Sequence, residues 1–377
     1  MRMTRRIAAV LAAAALVLAG CGGGDDSDDT DSGSGDLTKV KLQLQWVPQA
    51  QFAGYYVALE KGYYKDEGLD VEIVPGGPDI VPQDVLSSGD VDYAISWVPK
   101  VLGSIEQGSK ITDVAQIFER SATTQISFKD KNITSPADFK GKNIGSWGYG
   151  NEWELFAGMQ KDGVQVDDIK LVQQAFDMNG FLAGDIDAAQ AMTYNEYAQV
   201  LETVNPKTGK LYTPEDLNVI DWNEVGTAML QDAIWAQTDK LSDDAYADQT
   251  VKFIKASIKG WVDARDNPGE AASIVTKAGS ELGESHQLWM ANEVNKLIWP
   301  STAGIGMINE TDWKRTVDIA MNTKNETGAT VISKDPPESA YSNEYVEKAL
   351  AELKDDGVDV MGADYEPETV TLKEGGK

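Results

Sequence analysis

The chain has few side chains that could carry out enzymatic chemistry. Its 377 residues contain one cysteine, Cys21, and one histidine, His286. Nucleophilic catalysis would therefore depend on His286, which stands at the capped start of a predicted helix, where we expect a solvated side chain. The sequence has no cluster with zinc-ligand spacing and neither the dinucleotide-binding nor the P-loop glycine motif. The composition argues against most enzyme classes, and we expect no metal and no cofactor.

Positive charge is also scarce. The chain has 33 lysines and arginines against 61 aspartates and glutamates, which gives a formal net charge of −28. Such a surface repels phosphate backbones, so we expect no nucleic-acid partner. We interpret the acidity as a means of keeping the protein soluble. We expect the protein to be a monomer.

Long apolar runs are absent except near the N-terminus. Arginines 2, 5 and 6 precede an apolar run from Ile7 to Ala19, and small residues lead to Cys21. A run this short predicts a secretion signal and not a membrane-spanning helix. We predict residues 1–20 as a lipoprotein signal peptide and Cys21 as the lipidated residue that anchors the protein outside the cytoplasm. The alternative is an ordinary cleaved signal followed by an unpaired cysteine.

The segment after Cys21 contains glycine, serine, threonine and aspartate only, up to Asp36. Without apolar side chains it cannot offset the entropy of ordering. We therefore predict residues 21–37 as a flexible acidic tether between the lipid anchor and the folded part.

The remaining chain alternates between strand and helix patterns. Strands are predicted at 40–46, 69–74, 93–97, 142–147, 169–173 and 187–192. Helices are predicted at 52–61, 79–88, after the third strand up to residue 106, and at 152–161, 178–182 and 194–202. The first three strands belong to one α/β unit and the last three to a second, with an extended stretch at 116–128 between them. A β-rich piece at 227–236 precedes five helices at 241–265, 268–278, 286–297, 311–323 and 343–354. This order is typical of parallel sheets with helices on their faces.

The pattern predicts an α/β protein with two α/β lobes, a hinge and a ligand cleft. We assign residues 38–120 to the first lobe and 121–225 to the second. Residues 226–377 are assigned to a return to the first lobe with a C-terminal helical cover. Clefts between lobes are preferred sites for small ligands, and hinge closure is the expected motion.

Aromatic residues follow the predicted strands, where ligands of α/β sheets bind. We expect a stacking box around a planar heteroaromatic solute, with Gln49, Asn151, Asn195 and Glu196 as hydrogen-bonding groups and Gly76 and Gly77 allowing close backbone approach. The predicted ligand-binding residues are Trp46, Gln49, Phe52, Tyr55, Gly76, Gly77, Trp97, Trp147, Asn151, Glu152, Tyr194, Asn195 and Glu196. Helix starts beside these turns suit an anion equally well, although Lys100 is the only basic residue within them.

The segment Leu42-Gln-Leu-Gln-Trp-Val-Pro-Gln-Ala-Gln-Phe-Ala-Gly-Tyr-Tyr56 and its continuation to Val71 resemble the thiamine-pyrimidine-precursor family. The resemblance extends to Asp232 and weakens beyond it. That family contains binding proteins of ABC importers for formylaminopyrimidine and a yeast pyrimidine synthase. It implies the periplasmic-binding-protein fold, with two lobes and a hinge, and, as partners, an ABC permease with its ATPase.

Two positions depart from the family pattern Trp-x-Pro-Asn-x-x-His-x-Gly. Gln49 replaces the asparagine and Phe52 the histidine. In the synthase that histidine donates ring atoms, so the resemblance does not carry the synthase reaction to this chain. The variant Gln-Ala-Gln-Phe-Ala-Gly-Tyr-Tyr is similar to riboflavin-binding lipoproteins of bacterial importers, as are Gly150-Asn-Glu152 and Met192-Thr-Tyr-Asn-Glu-Tyr197.

The sequence therefore predicts a lipid-anchored, extracytoplasmic solute-binding protein that is not an enzyme. We expect riboflavin ahead of a thiamine pyrimidine as its ligand. Sulfonate-type or nitrate-type anions are the first alternative. A secreted enzyme that uses Glu152, Glu196 or Asp177 as acid or base is a second, and a sensor or adhesion lipoprotein is a third.

Overall fold

The computed structural model describes residues 37–377. The predicted signal peptide, Cys21 and the tether up to residue 36 lie outside this range. Within it, no helix has both the length and the apolar character needed to cross a membrane.

The predicted strands agree with the structure to within a few residues, whereas four further strands, at 111–116, 204–205, 210–211 and 217–221, were not predicted. The strands are β1 (Thr38–Gln43), β2 (Leu69–Val74), β3 (Tyr93–Trp97), β4 (Ile111–Gln116), β5 (Thr123–Phe128), β6 (Asn143–Ser146), β7 (Lys170–Gln173), β8 (Ala188–Met192), β9 (Val204–Asn205), β10 (Lys210–Leu211), β11 (Leu217–Asp221) and β12 (Asp232–Gln237). Every residue of β3 is buried, as expected of a strand covered on both faces.

The predicted helices also lie close to their observed positions, and two short helices, at 63–66 and 222–225, were not predicted. They are α1 (Ala53–Glu60), α2 (Tyr63–Asp66), α3 (Pro82–Ser88), α4 (Val98–Glu106), α5 (Trp153–Lys161), α6 (Asn179–Ala183), α7 (Glu196–Leu201), α8 (Trp222–Val225), α9 (Asp244–Asp266), α10 (Pro268–Lys277), α11 (Glu284–Ile298), α12 (Glu310–Asn322) and α13 (Glu344–Asp355). Helix α3 was predicted to begin at Asp79 but begins at Pro82, since proline is favoured at the first helical position. Residues 79–81 are therefore loop.

The strands form two five-stranded sheets, with the orders β2-β1-β3-β12-β4 and β11-β5-β8-β6-β7. The prediction of parallel sheets is wrong in part. Strand β12 runs antiparallel to β3 and β4, and β5 runs antiparallel to β8 and β11. These two strands enter their sheets from the crossing segments, so they start where the neighbouring parallel strands end.

The two crossing segments, 117–122 and 222–231, are tied to each other by hydrogen bonds. The backbone nitrogens of Ile117 and Phe118 both donate to the carbonyl of Asp232, at 3.1 and 3.0 Å. The side chain of Gln231 accepts from the nitrogen of Ala122 at 2.9 Å and donates to Thr123 at 2.7 Å. The crossing therefore forms one connected strip between the lobes.

Helix α11 contacts both lobes. On the side of the first lobe, Gln287 accepts a hydrogen bond from the nitrogen of Ala50 at 2.6 Å. On the side of the second, the indole nitrogen of Trp289 donates to the carbonyl of Thr193 at 3.0 Å. The C-terminal region is thus more than a cover on the first lobe.

Candidate functional site

A cleft of about 760 Å³ lies between the lobes. It is lined by the loops that follow β1, β2 and β3 in one lobe and β6, β7 and β8 in the other, as expected for the carboxyl ends of strands in α/β sheets. The predicted residues that line it are Trp46, Gln49, Gly77, Trp97, Trp147, Asn151, Tyr194, Asn195 and Glu196.

Aromatic side chains from the two lobes meet across the cleft at Phe176. Its ring centroid is 4.8 Å from that of Trp46 in the first lobe. It also stacks with Trp147 of the second lobe at 6.3 Å and an interplanar angle of 23°. Phe176 is 42% exposed, so part of the ring still faces solvent. Sequence reasoning missed this residue although it follows a strand, β7, because only the other five strand ends were inspected for aromatics.

Two charged side chains contact the indole ring of Trp97. Its indole nitrogen donates to Oδ1 of Asp232 at 2.7 Å. The ammonium of Lys100 lies 5.0 Å from the centroid of the ring. The nitrogen and one face of Trp97 are thus engaged within the protein, and the ring presents its remaining surface to the cleft.

Asp232, the first residue of β12, organises the floor of the cleft and was not predicted. In addition to Trp97, the side-chain nitrogens of Gln45 and Gln51 donate to its carboxylate, at 2.5 and 2.9 Å. Gln49 in turn donates to Oε1 of Gln51 at 2.7 Å. Burial raises the pKa of Asp232 to about 7, and the hydrogen bonds from its three partners oppose that rise. The chain from Gln49 through Gln51 to Asp232 leaves the amide oxygen of Gln49 as an acceptor for a ligand.

The carboxamide of Asn195 forms its hydrogen bonds with other groups of the protein, so it is not free to bind a ligand. Its nitrogen donates to Oε1 of Glu196 at 3.0 Å, and its oxygen faces Nε2 of His286 at 3.1 Å. The other oxygen of Glu196 accepts from the nitrogen of Met192 at 3.0 Å. Burial raises the pKa of Glu196 to about 7. The side chains of Asn195 and Glu196 therefore shape the wall of the cleft while most of their hydrogen-bonding capacity is used internally.

The prediction that His286 is solvated is wrong. Its ring is buried in α11, and Nδ1 lies 2.9 and 3.0 Å from the two carboxylate oxygens of Glu202. Both ring nitrogens face acceptors of the second lobe, so the residue serves as a contact between α11 and that lobe. A helix does begin close to His286, as predicted, but a sequence pattern does not show which residues pack over the start of a helix.

Phe52 and Tyr55 were predicted as ligand-binding residues, but neither lines the cleft. Both are buried in the hydrophobic core of the first lobe. Tyr55 packs edge-on against Trp261 of α9, with ring centroids 5.5 Å apart. The reason lies in the local backbone, because Tyr55 is on the face of α1 that packs against α9, and Phe52 ends the 3-10 turn that precedes α1.

Gly76 and Glu152 also differ from the prediction. A Cβ atom at Gly76 would lie 2.3 Å from the carbonyl oxygen of Leu44, so this glycine permits contact with β1 and not with a ligand. One carboxylate oxygen of Glu152 accepts from the nitrogen of Gly150 at 2.9 Å, which holds the loop before α5. Burial raises the pKa of Glu152.

The loop after β6 presents an aromatic side chain at the mouth of the cleft. Tyr149 is 86% exposed and has a φ of 54°, between Gly148 at 64° and Gly150 at 85°. A left-handed backbone is uncommon for a bulky residue and indicates a position that its surroundings impose. Tyr149 lines the cleft without being packed into it.

Two polar groups of cleft-lining residues in the second lobe have no partner among the described residues. The indole nitrogen of Trp147 is buried and donates to no acceptor there. The side-chain nitrogen of Asn151 donates to the carbonyl of Gly148 at 2.7 Å, whereas its amide oxygen accepts no hydrogen bond within residues 37–377. A ligand in the cleft would find one donor and one acceptor at this wall.

The chain is similar to a described protein family and to several named proteins. Residues 49–271 match the family model described as NMT1/THI5 like. The formylaminopyrimidine-binding protein of Halalkalibacterium halodurans is 26% identical over 246 residues, which is 63% of this chain and 70% of that protein. The riboflavin-binding protein RibY of Chloroflexus aurantiacus is 25% identical over 321 residues, 82% of this chain and 86% of that protein.

An enzyme and a solved structure complete the comparison. The 4-amino-5-hydroxymethyl-2-methylpyrimidine phosphate synthase THI5 of Saccharomyces cerevisiae is 28% identical over 153 residues, 40% of this chain and 45% of that protein. The periplasmic aliphatic sulphonate-binding protein SsuA of Escherichia coli superimposes with a TM-score of 0.54 at 14% identity, covering 90% of this chain and 94% of that one. This likeness shows the fold of periplasmic binding proteins.

Proposed function

We propose, from the premise that the chain belongs to the NMT1/THI5-like family, that it is the solute-binding protein of an ABC importer. It captures a planar heteroaromatic vitamin or precursor, riboflavin ahead of a thiamine pyrimidine, and delivers it to the permease with its ATPase. The observation that carries this proposal is the group formed by Trp46, Phe176 and Trp147, which brings aromatic faces from both lobes to one place.

The dimensions and polarity of the cleft support a ring-shaped ligand. A volume of about 760 Å³ lies within the range of small-molecule sites. Aromatic walls favour a planar ring through stacking. Gln49, Trp147 and Asn151 offer a few polar atoms around the aromatic surface. Relatives named for formylaminopyrimidine and for riboflavin are both heteroaromatic binders by name.

The acid–base groups needed for the enzymatic alternative are engaged in structural contacts. Asp177 accepts from the nitrogen of Asn179 at 2.8 Å, at the start of α6. Glu152 holds Gly150, and both oxygens of Glu196 accept hydrogen bonds. These contacts favour binding over turnover.

The experiment is a ligand screen with purified residues 37–377. Riboflavin, formylaminopyrimidine, a thiamine pyrimidine, taurine and nitrate are added singly, and the thermal midpoint is recorded, since a ligand that binds the folded state raises it. We expect riboflavin to give the largest shift, and absorbance of the freshly purified protein to reveal any bound flavin. A shift with taurine or nitrate and none with any aromatic compound would refute the proposal. Mass spectrometry of the recovered ligand should find it unchanged.

The membrane anchor is a separate part of the proposal and rests on Cys21, outside the described residues. The full chain, expressed in a bacterial host, should incorporate labelled fatty acid and sediment with membranes. The variant Cys21→Ser should lose both properties. Release of the unmodified chain without lipid would show an ordinary cleaved signal instead.

A further inference from the structure

Lys100 is the only basic side chain among the residues of the described chain that line the cleft. It stands in the first turn of α4, directly after β3, with its ammonium 5.0 Å from the ring centroid of Trp97. No carboxylate of the described residues lies within ion-pair distance, 4.0 Å, of this ammonium. The cation is thus placed in the cleft wall without a direct counter-charge.

The opposite lobe approaches the same side chain. A Cβ atom at Gly150 would lie 3.6 Å from Cγ and 3.9 Å from Cε of Lys100. Gly150 belongs to the loop after β6, whereas Lys100 belongs to the first lobe. The methylene groups of Lys100 therefore lie between the two lobes. Its ammonium lies in the part of the cleft that a bound ligand would occupy.

The side chain of Lys100 is partly buried, and no acceptor of the described residues lies within hydrogen-bond distance of its ammonium. Burial lowers the pKa of Lys100 to about 8, and the negative charges of Glu152 and Asp232 oppose this shift from a distance. A ligand atom that accepts from the ammonium would supply the hydrogen-bond partner that the protein does not.

We propose that Lys100 donates to a carbonyl oxygen on the edge of the bound heteroaromatic ring. This inference rests on the proposed function and narrows its ligand to planar rings that carry a carbonyl group, such as the isoalloxazine of riboflavin. A phosphate is the less favourable oxygen source because Asp232, Glu196 and Asp79 place three carboxyl groups in or beside the same cleft.

The test compares Lys100→Met and Lys100→Arg with the unchanged protein by equilibrium titration. The probes are riboflavin, flavin mononucleotide and 4-amino-5-hydroxymethyl-2-methylpyrimidine, which has no carbonyl. Lys259 provides a matched control, since its ammonium also lies 5.0 Å from an aromatic centroid, that of Tyr63, outside the cleft. Lys100→Met should weaken riboflavin binding by about 10- to 100-fold, the effect of losing a charged hydrogen bond. Lys100→Arg should retain most of the affinity, and Lys259→Met all of it.

A pH series gives a readout that altered packing would not reproduce. Above pH 8 the free protein loses the charge of Lys100, so riboflavin affinity should fall in the unchanged protein and stay level in Lys100→Arg. The arginine variant also controls for Asp232 and Glu196, whose pKa values of about 7 lie below this window.

The outcomes separate the two proposals. Unchanged riboflavin affinity in Lys100→Met would overturn the role of Lys100 and leave the proposed function standing. Flavin mononucleotide binding more tightly than riboflavin, with the difference lost in Lys100→Met, would assign Lys100 to the phosphate and overturn the carbonyl assignment. Failure of the unchanged protein to bind any aromatic probe would refute both.

Discussion

Asp232 is the residue on which the floor of the cleft depends. Its carboxylate receives hydrogen bonds from Trp97, Gln45 and Gln51, all of which line the cleft. Nothing in the sequence marks it, because it is one aspartate among many and begins a strand that was predicted only as part of a β-rich piece. Its role arises from the antiparallel insertion of β12 beside β3, which a period-two pattern does not reveal.

Asp232→Asn should destabilise the fold and weaken ligand binding. One oxygen would become an amide nitrogen facing the nitrogen of Gln51, which cannot rotate without disturbing Gln49. A mispaired buried polar group costs about 1–3 kcal/mol. Urea unfolding at pH 5.5 measures this cost, because Asp232 is protonated there and the substitution removes no buried charge. The control is Asp243→Asn at the start of α9, where asparagine caps as well as aspartate. Equal effects of the two substitutions would contradict the assigned role.

We expect Tyr149 to slow the dissociation of the ligand, while its left-handed backbone conformation lowers the stability of the fold. Tyr149→Gly relieves the left-handed conformation, so we expect stability to rise by up to about 1 kcal/mol. The dissociation rate of riboflavin should increase about tenfold, because the exposed ring no longer covers the ligand. Stopped-flow fluorescence measures the rate.

Asn132→Gly provides the comparison for this prediction. Asn132 also has a left-handed backbone, with a φ of 53°, and is exposed away from the cleft. This variant should leave the dissociation rate unchanged. A rate for Tyr149→Gly equal to that of the unchanged protein would show that the tyrosine does not contact the ligand.

At the scale of elements, the packing of α1 against α9 explains a glycine in the family-like motif. A Cβ atom at Gly54 would lie 2.2 Å from the ring of Trp261, and one at Gly260 would lie 2.0 Å from the carbonyl oxygen of Gly54. Two glycines thus allow the helices to come close. The same packing directs Phe52 and Tyr55 into the core, which is why their placement in the cleft was wrong.

Gly260→Ala should destabilise the first lobe strongly. The added methyl group would meet backbone of α1, which cannot move aside as a flexible side chain can. We expect a loss of about 3 kcal/mol in the free energy of unfolding. Gly269→Ala in α10 is the control, since nothing lies within 4 Å of its Cβ position. There alanine should be neutral or stabilise by up to about 1 kcal/mol, and similar losses at both sites would contradict the packing argument.

The positions of strands and helices were largely predictable because their signals are local. Gly89 marks the end of α3, and alternation of apolar residues marks β1 and β2. Trp46, Trp97 and Trp147 were found by the rule that ligands bind at strand ends, which needs no three-dimensional information. Lys100 was noticed only as an exception, because its lack of a nearby counter-charge is a property of the folded state.

At the scale of the whole molecule, buried carboxyl groups make stability depend on pH. Burial raises the pKa of Glu119, Glu154, Glu196 and Asp232 to about 7. Between about pH 4 and pH 7 the folded chain therefore holds protons that the unfolded chain has released. Stability is greatest at the acidic end of this window and is lost as the pH rises through 7.

Urea unfolding should accordingly give a larger free energy of unfolding at pH 5.5 than at pH 8. Glu154→Gln should flatten part of this dependence, because glutamine resembles the protonated acid. A profile with no slope between these pH values, or one unchanged by Glu154→Gln, would show that these carboxyl groups titrate in their ordinary range.

Helix α11 limits which segments of the chain can be exchanged between members of the family. His286 and Trp289 reach into the second lobe, although they follow their partners there, Glu202 and Thr193, by 84 and 96 residues along the chain. A chimaera that takes residues 121–225 from a relative would replace Glu202 and Asn195 and leave His286 of α11 facing foreign side chains. The second lobe is therefore not a transferable module by itself, and specificity engineering by lobe exchange must carry α11 along with it.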